Sequence, residues 1–192
     1  IPTKNPQGGG PRALGLPEQG TVYLVMTGSM GFGNAAGVVA ALAQRMDPAS
    51  RAVVMVGSNE RLNAALGKRF GQDARVVRVP YTTQVPLYMD ACDVLLSKPG
   101  GLSSTEAAVK NVPLVHTAPI PGGEKINARF FAGLGLSVAT GSPEESAAAA
   151  VRLAADRAAQ ERQLAAQRAH INADAAAALC DQLIARNPEQ IR

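Results

Sequence analysis

LLSKPGGLSSTEAAVKNVPLV (residues 95–115) carries the plan of the fold in one line. An apolar run, DVLLS at 93–97, ends at Lys98-Pro99-Gly100-Gly101. The polar cluster Ser103-Ser104-Thr105-Glu106 opens a helix-forming stretch to Lys110, and PLVHT at 113–117 is a second apolar run. Strand, glycine turn, helix, strand is a βαβ unit, and its strands are apolar on both faces. Such strands need helices on both sides of the sheet.

The pattern repeats outward in both directions. TVYLVMT (21–27), RAVVMVG (51–57), ARVVRVP (74–80) and LSVAT (136–140) read as further strands. Helices are predicted over 35–46, 59–70, 86–91, 103–110 and 124–134. From Ser142 the chain reads as helical almost to its end, with Ser142 as N-cap, Pro143 at the first position and Glu145 in the first turn. A closing helix over 173–185 carries Leu179, Leu183 and Ile184 on one stripe, and Asn187-Pro188 stops it. This alternation predicts an α/β fold, a doubly wound parallel sheet with C-terminal helices. The first twenty residues, rich in Pro and Gly, read as a linker, and 21–192 as one domain.

Composition narrows the classes. Apolar residues are 46% of 192, enough for a sizeable core, while aromatics are only 4%, which disfavours a β-sandwich. The net charge of +4 is spread along the chain and gives no nucleic-acid footprint. Cys92 and Cys180 lack a CxxC partner, so no metal motif is present, and both read as small core fillers. No apolar run reaches transmembrane length.

Ligands of such sheets bind beyond the carboxyl ends of the strands, so three loops stand out. The first is Gly28-Ser29-Met30-Gly31-Phe32-Gly33-Asn34. Its GxxGxG spacing is not the dinucleotide GxGxxG, and it reads either as a tight βα turn or as an anion site. The second is Lys98 to Ser103, where Gly100 and Gly101 leave backbone amides bare for a diphosphate. Ser103, Ser104 and Thr105 add hydroxyls, and Lys98 is a candidate counter-charge. Ser103-x-x-Glu106 fits a capping box; the other reading gives Glu106 to the vicinal hydroxyls of a ribose. In the third loop, Pro119-Ile120-Pro121-Gly122-Gly123-Glu124, Glu124 and Asn127 share one face of the first helical turn. They could bond a sugar or simply favour the helix start. His116, in PLVHT, reads as a packed strand residue rather than a base. Tyr81-Thr82 could meet a nucleobase through main-chain groups.

Together TGSMGFGN, SKPGGLSSTEAAVKNVPLV and PIPGGEKINARFF resemble, in order and spacing, the C-terminal donor domain of GT-B glycosyltransferases, of the monogalactosyldiacylglycerol synthase and processive diacylglycerol glucosyltransferase family. The resemblance covers about residues 21–185. It implies a UDP-sugar donor substrate, no other cofactor, and an inverting, metal-independent transfer to a lipid. By that resemblance Gly28, Ser29 and Met30 lie beside the diphosphate, with Gly101, Leu102, Ser103 and Ser104. Tyr81 and Thr82 flank the uracil, Glu106 holds the ribose, and Gly122, Glu124 and Asn127 face the sugar. The family often carries glutamine or cysteine where this chain has Gly123. The resemblance also implies an N-terminal acceptor domain outside this sequence, which supplies the catalytic base and a peripheral attachment to the cytoplasmic face of the membrane. No residue of this chain is assigned as the base. A transferase of the peptidoglycan lipid precursor, a UDP-sugar epimerase or hydrolase, and a non-catalytic UDP-sugar-binding module are the alternatives.

Overall fold

The computed structural model describes residues 14–17, 19–26 and 34–186. Its centre is a six-stranded, all-parallel sheet of order β3-β2-β1-β4-β5-β6. The strands are β1 (Val22–Met26), β2 (Arg51–Gly57), β3 (Val76–Pro80), β4 (Val94–Ser97), β5 (Leu114–His116) and β6 (Val138–Ala139). Parallel neighbours require crossovers, and helices supply them: α1 (Ala35–Ala43), α2 (Glu60–Phe70), α3 (Val85–Ala91), α4 (Gly101–Val109) and α5 (Gly123–Gly133). The predicted run after Ser142 is three helices, α6 (Pro143–Ala155), α7 (Arg157–His170) and α8 (Ala175–Arg186). Asp156 breaks the first two apart: it ends α6 and its carboxylate accepts the Ala159 N–H, capping α7 at 2.9 Å.

Side chains alternate across the sheet as the two-residue period demands. Tyr23, Val25, Val54 and Leu96 join Val39, Leu42, Leu66 and Leu153 in one core layer. Val22, Leu24, Val53, Leu95 and Leu114 join Met89, Ala107 and Phe131 in the other. Leu16, which the sequence reading leaves in the linker, is buried in that second layer. Cys92 is buried as expected, but Cys180 is exposed on α8. Leu179, Leu183 and Ile184 are also exposed, since nothing in the described chain covers that face of the terminal helix.

Two helices return to the sheet through the same device. Beyond α4, Asn111 takes φ +53, with its N–H on Ala108 O at 3.1 Å and Val112 N–H on Ala107 O at 2.9 Å. Beyond α5, Gly135 takes φ +70, with the matching bonds to Ala132 O and Phe131 O. These are Schellman caps, which satisfy the last carbonyls and turn the chain back.

The outer part of β5 is finished by side chains of α7. Gln163 Oε1 accepts the Leu114 N–H at 2.7 Å, and its Nε2 donates to Leu114 O at 3.1 Å. Gln167 Nε2 donates to Val112 O and Leu136 O, and Gln160 Nε2 to Leu153 O and Ala154 O. All three glutamines are buried. Replacing Gln163 by leucine strands two buried backbone groups. The variant should lose about 3 kcal/mol in urea unfolding, with the m-value unchanged.

Candidate functional site

The strand order turns between β1 and β4, the switch point at which open α/β sheets take ligands. A cleft lies there, lined by Met26, Asn34 and Ala35 from β1 and α1, by Lys98 after β4, and by Thr117 after β5. The segment between β1 and α1, including Gly28, Ser29 and Met30, lies outside the described residues.

Helix starts around the sheet differ in how they are capped, and α3 begins on Gln84 without a side-chain cap. Asn34, Asn59, Ser142 and Asp156 each cap their own helix through a side-chain oxygen. Helices α4 and α5 begin instead on Gly100 and Gly122, and neither has a side-chain cap. Gly100 sits at φ −75, ψ 143, and its carbonyl takes the Ser104 N–H at 3.1 Å. The amides of Gly101, Leu102 and Ser103 therefore have no intrahelical acceptor. Gly122 sits at φ +112, ψ −142, a conformation essentially confined to glycine, and leaves the amides of Gly123 and Glu124 likewise free. Two bare N-termini thus follow the adjacent strands β4 and β5, each a place where backbone dipoles favour an anion.

The helix start corrects the capping box. Because α4 begins at Gly101, Ser103 is already its third residue and cannot stand outside it as a cap. Glu106 is left exposed on the second turn. Ser104 is also corrected as a hydroxyl donor to a ligand. Its side chain is fully buried, and its Oγ lies 2.9 Å from His116 Nε2. Ser137 Oγ lies 3.0 Å from His116 Nδ1, and the Phe131 ring meets the imidazole edge-on at 5.3 Å. His116 is packed, as the sequence suggests, but as the hub joining α4, β5 and the approach to β6.

The remaining site residues fall into three groups. Gly101 and Leu102 are exposed at the start of α4, Leu102 by 82%. Tyr81 and Thr82 follow β3, at the same edge of the sheet but three strands from β4, roughly 14 Å by strand spacing. Tyr81 is exposed, and Thr82 Oγ1 accepts the Gln84 N–H at 3.1 Å. Glu124 and Asn127 are engaged within the protein. Glu124 Oε1 pairs with Lys98 Nζ at 2.8 Å and Oε2 accepts the Ile120 N–H at 3.0 Å, while Asn127 Nδ2 donates to Pro99 O at 3.0 Å. Burial works against the Glu124 charge, but the Lys98 ammonium and the Ile120 amide outweigh it and hold the carboxyl below its usual range. Sequence reasoning missed the roles of Ser137 and the α7 glutamines. The only signal was the 160, 163, 167 spacing, which puts three amides on one helix face. Among the described residues no His, Cys, Asp and Glu cluster could hold a metal ion.

The fold is a Rossmann-like α/β domain with its cleft at the switch point of the sheet. No family model matches the chain. It is 28% identical over 130 residues to the processive diacylglycerol beta-glucosyltransferase of Staphylococcus carnosus, covering 68% of this chain and 33% of that protein. The enzyme of the same name from Staphylococcus saprophyticus is 27% identical, over 67% and 32%. The chain thus spans about a third of the length of the curated relatives it matches. Its fold is shared by solved structures such as the following three. MurG of Acinetobacter baumannii gives a TM-score of 0.67 at 19% identity, over 86% of this chain and 49% of that one. Anabaena HepE, in complex with UDP and glucose, gives 0.64 at 17%, over 94% and 51%. The C-terminal CMP-Kdo binding domain of WaaA from Acinetobacter baumannii gives 0.61 at 13%, over 79% and 89%. The resemblance to processive diacylglycerol glucosyltransferases holds in sequence over about two thirds of the chain, and the fold is shared with solved glycosyltransferase structures.

Stability should depend on pH through His116. Burial pushes its pKa down to about 4, with the Glu124 charge opposing. An unfolded histidine titrates near 6.5, so as pH falls the unfolded chain takes up the proton first. Stability that is full above about 6.5 is lost progressively down to about 4, by about 3 kcal/mol. The Glu124 pair adds a further loss below its unfolded pKa of 4.5. Urea unfolding across this range should show the slope, and His116→Asn should flatten its upper part.

Proposed function

We propose that the chain is the UDP-sugar-binding donor domain of a membrane-associated glycosyltransferase that moves a hexose onto a diacylglycerol-type lipid. One observation carries the reading: two adjacent helices, α4 and α5, start on glycine with uncapped amides beside the switch point of the sheet. The diphosphate would lie against the amides of Gly101, Leu102 and Ser103, with Gly28, Ser29 and Met30 beside it. Glu106, exposed on the second turn of α4, would accept bonds from the ribose hydroxyls. A carboxylate suits a neutral diol and repels phosphate, which orders the nucleotide along the helix. Tyr81 and Thr82 would flank the base. The Staphylococcus relatives supply the lipid acceptor of the proposal.

In the complete enzyme an acceptor hydroxyl would attack the anomeric carbon as the bond to UDP breaks, inverting that centre. The acceptor proton would pass to a base on an N-terminal domain, which would also carry the membrane contact. Charge developing on the departing UDP would meet fixed helix-terminus dipoles in place of a metal ion. No described helix is long and apolar enough to cross a membrane.

Calorimetric titration with UDP, ADP and GDP tests the reading. UDP should bind most tightly, and EDTA should leave its affinity unchanged; equal binding of the three nucleotides would overturn the proposal. Glu106→Ala should weaken UDP at least about tenfold and abolish discrimination against the 2′,3′-dideoxy analogue, without altering the melting temperature. The chain by itself should bind UDP yet neither transfer nor hydrolyse a sugar; release of UDP from UDP-glucose without lipid would favour a hydrolase instead.

A further inference from the structure

The resemblance assigns Glu124 and Asn127 to the sugar, yet both side chains reach a neighbouring loop. Residues 124 and 127 lie one turn apart on α5 and contact the consecutive residues 98 and 99. Lys98 Nζ to Glu124 Oε1 is 2.8 Å, and Asn127 Nδ2 to Pro99 O is 3.0 Å. The ion pair is largely covered, with 18% and 16% of the two side chains exposed. The second Glu124 oxygen is taken by the Ile120 N–H at 3.0 Å, so the carboxylate also ties down its own loop. On the other side, Gly100 N–H closes onto Lys98 O at 2.7 Å, directly before the free amides of α4.

We infer that Glu124 and Asn127 are positioning residues: they clip the start of α5 to the β4–α4 loop and fix the spacing between the two uncapped helix N-termini. This rests on the donor-site reading for its consequence, that diphosphate affinity depends on the clip whether or not a sugar is attached. A sugar ligand would act only on the sugar-bearing donor. A clip acts on UDP and UDP-glucose alike, because the amides it places meet the part they share.

Asn127→Ala tests this without a change of charge. Its affinity for UDP and for UDP-glucose should fall by the same factor, about tenfold, with the urea midpoint near that of the parent chain. Loss confined to UDP-glucose, or no loss for either, would overturn the inference. The ligand-free chain gives an independent readout. In ¹⁵N-edited NMR spectra Asn127→Ala and Glu124→Gln should each shift the amide signals of Gly101, Leu102 and Ser103, although neither side chain lies on α4. Unmoved signals would overturn the clip. Shifted signals in a chain that does not bind UDP would uphold the clip and dismiss the donor site.

Discussion

Because all six strands are parallel, every strand discharges its following loop at one edge of the sheet. That constraint arranges everything else. It forces helical crossovers between strands, buries both faces of the sheet, and brings the carboxyl ends of β1, β3, β4 and β5 to a single rim. It also leaves the outer part of β5 short of strand partners, since β6 is only two residues long. Gln163 of α7 fills that gap with its amide, taking both backbone groups of Leu114. A carboxylate, which only accepts, could not take both groups.

At the rim, polar side chains and backbone amides divide the work. Ser104, Glu124 and Asn127 have partners inside the protein: an imidazole, an ammonium with a backbone amide, and a carbonyl. What remains unpaired at the starts of α4 and α5 is backbone. Side-chain oxygens of Asn34, Asn59, Ser142 and Asp156 close the starts of α1, α2, α6 and α7. Glycine at 100 and 122 leaves such starts open, and the groups left open are those that attract anions.

Most of the fold was legible in the sequence, because strands apolar on both faces and glycine-led helix starts leave strong local signals. Strands β1 to β5 and the helices between them fall close to where the pattern puts them. Boundaries resolved less well. The SSTE cluster imitates a capping box, and only the tertiary placement of Gly100 moves the start of α4 back to Gly101. Cys180 reads as a core residue because its neighbours are apolar, but that apolar face has no cover in the described chain. In the site, the glycines announced the bare amides. Lys98, Pro99 and His116, the partners of Glu124, Asn127 and Ser104, lie 12 to 28 residues away and depend on how α5 meets the β4–α4 loop and α4 meets β5. Spacing along one helix says which side chains share a face, not what that face meets.

His116 has one more consequence. Residues 103 to 105 are three hydroxyls in a row, nearly interchangeable in composition, yet each is turned about 100° from the last around the axis of α4. Only Ser104 meets the imidazole, and Ser137 holds the ring from the other side. A helix rolled by one residue would strand a buried histidine and a buried serine together. The buried trio therefore acts as a phase mark. It selects a single rotation of α4 among near-equal choices, and with that rotation the direction in which Glu106 points.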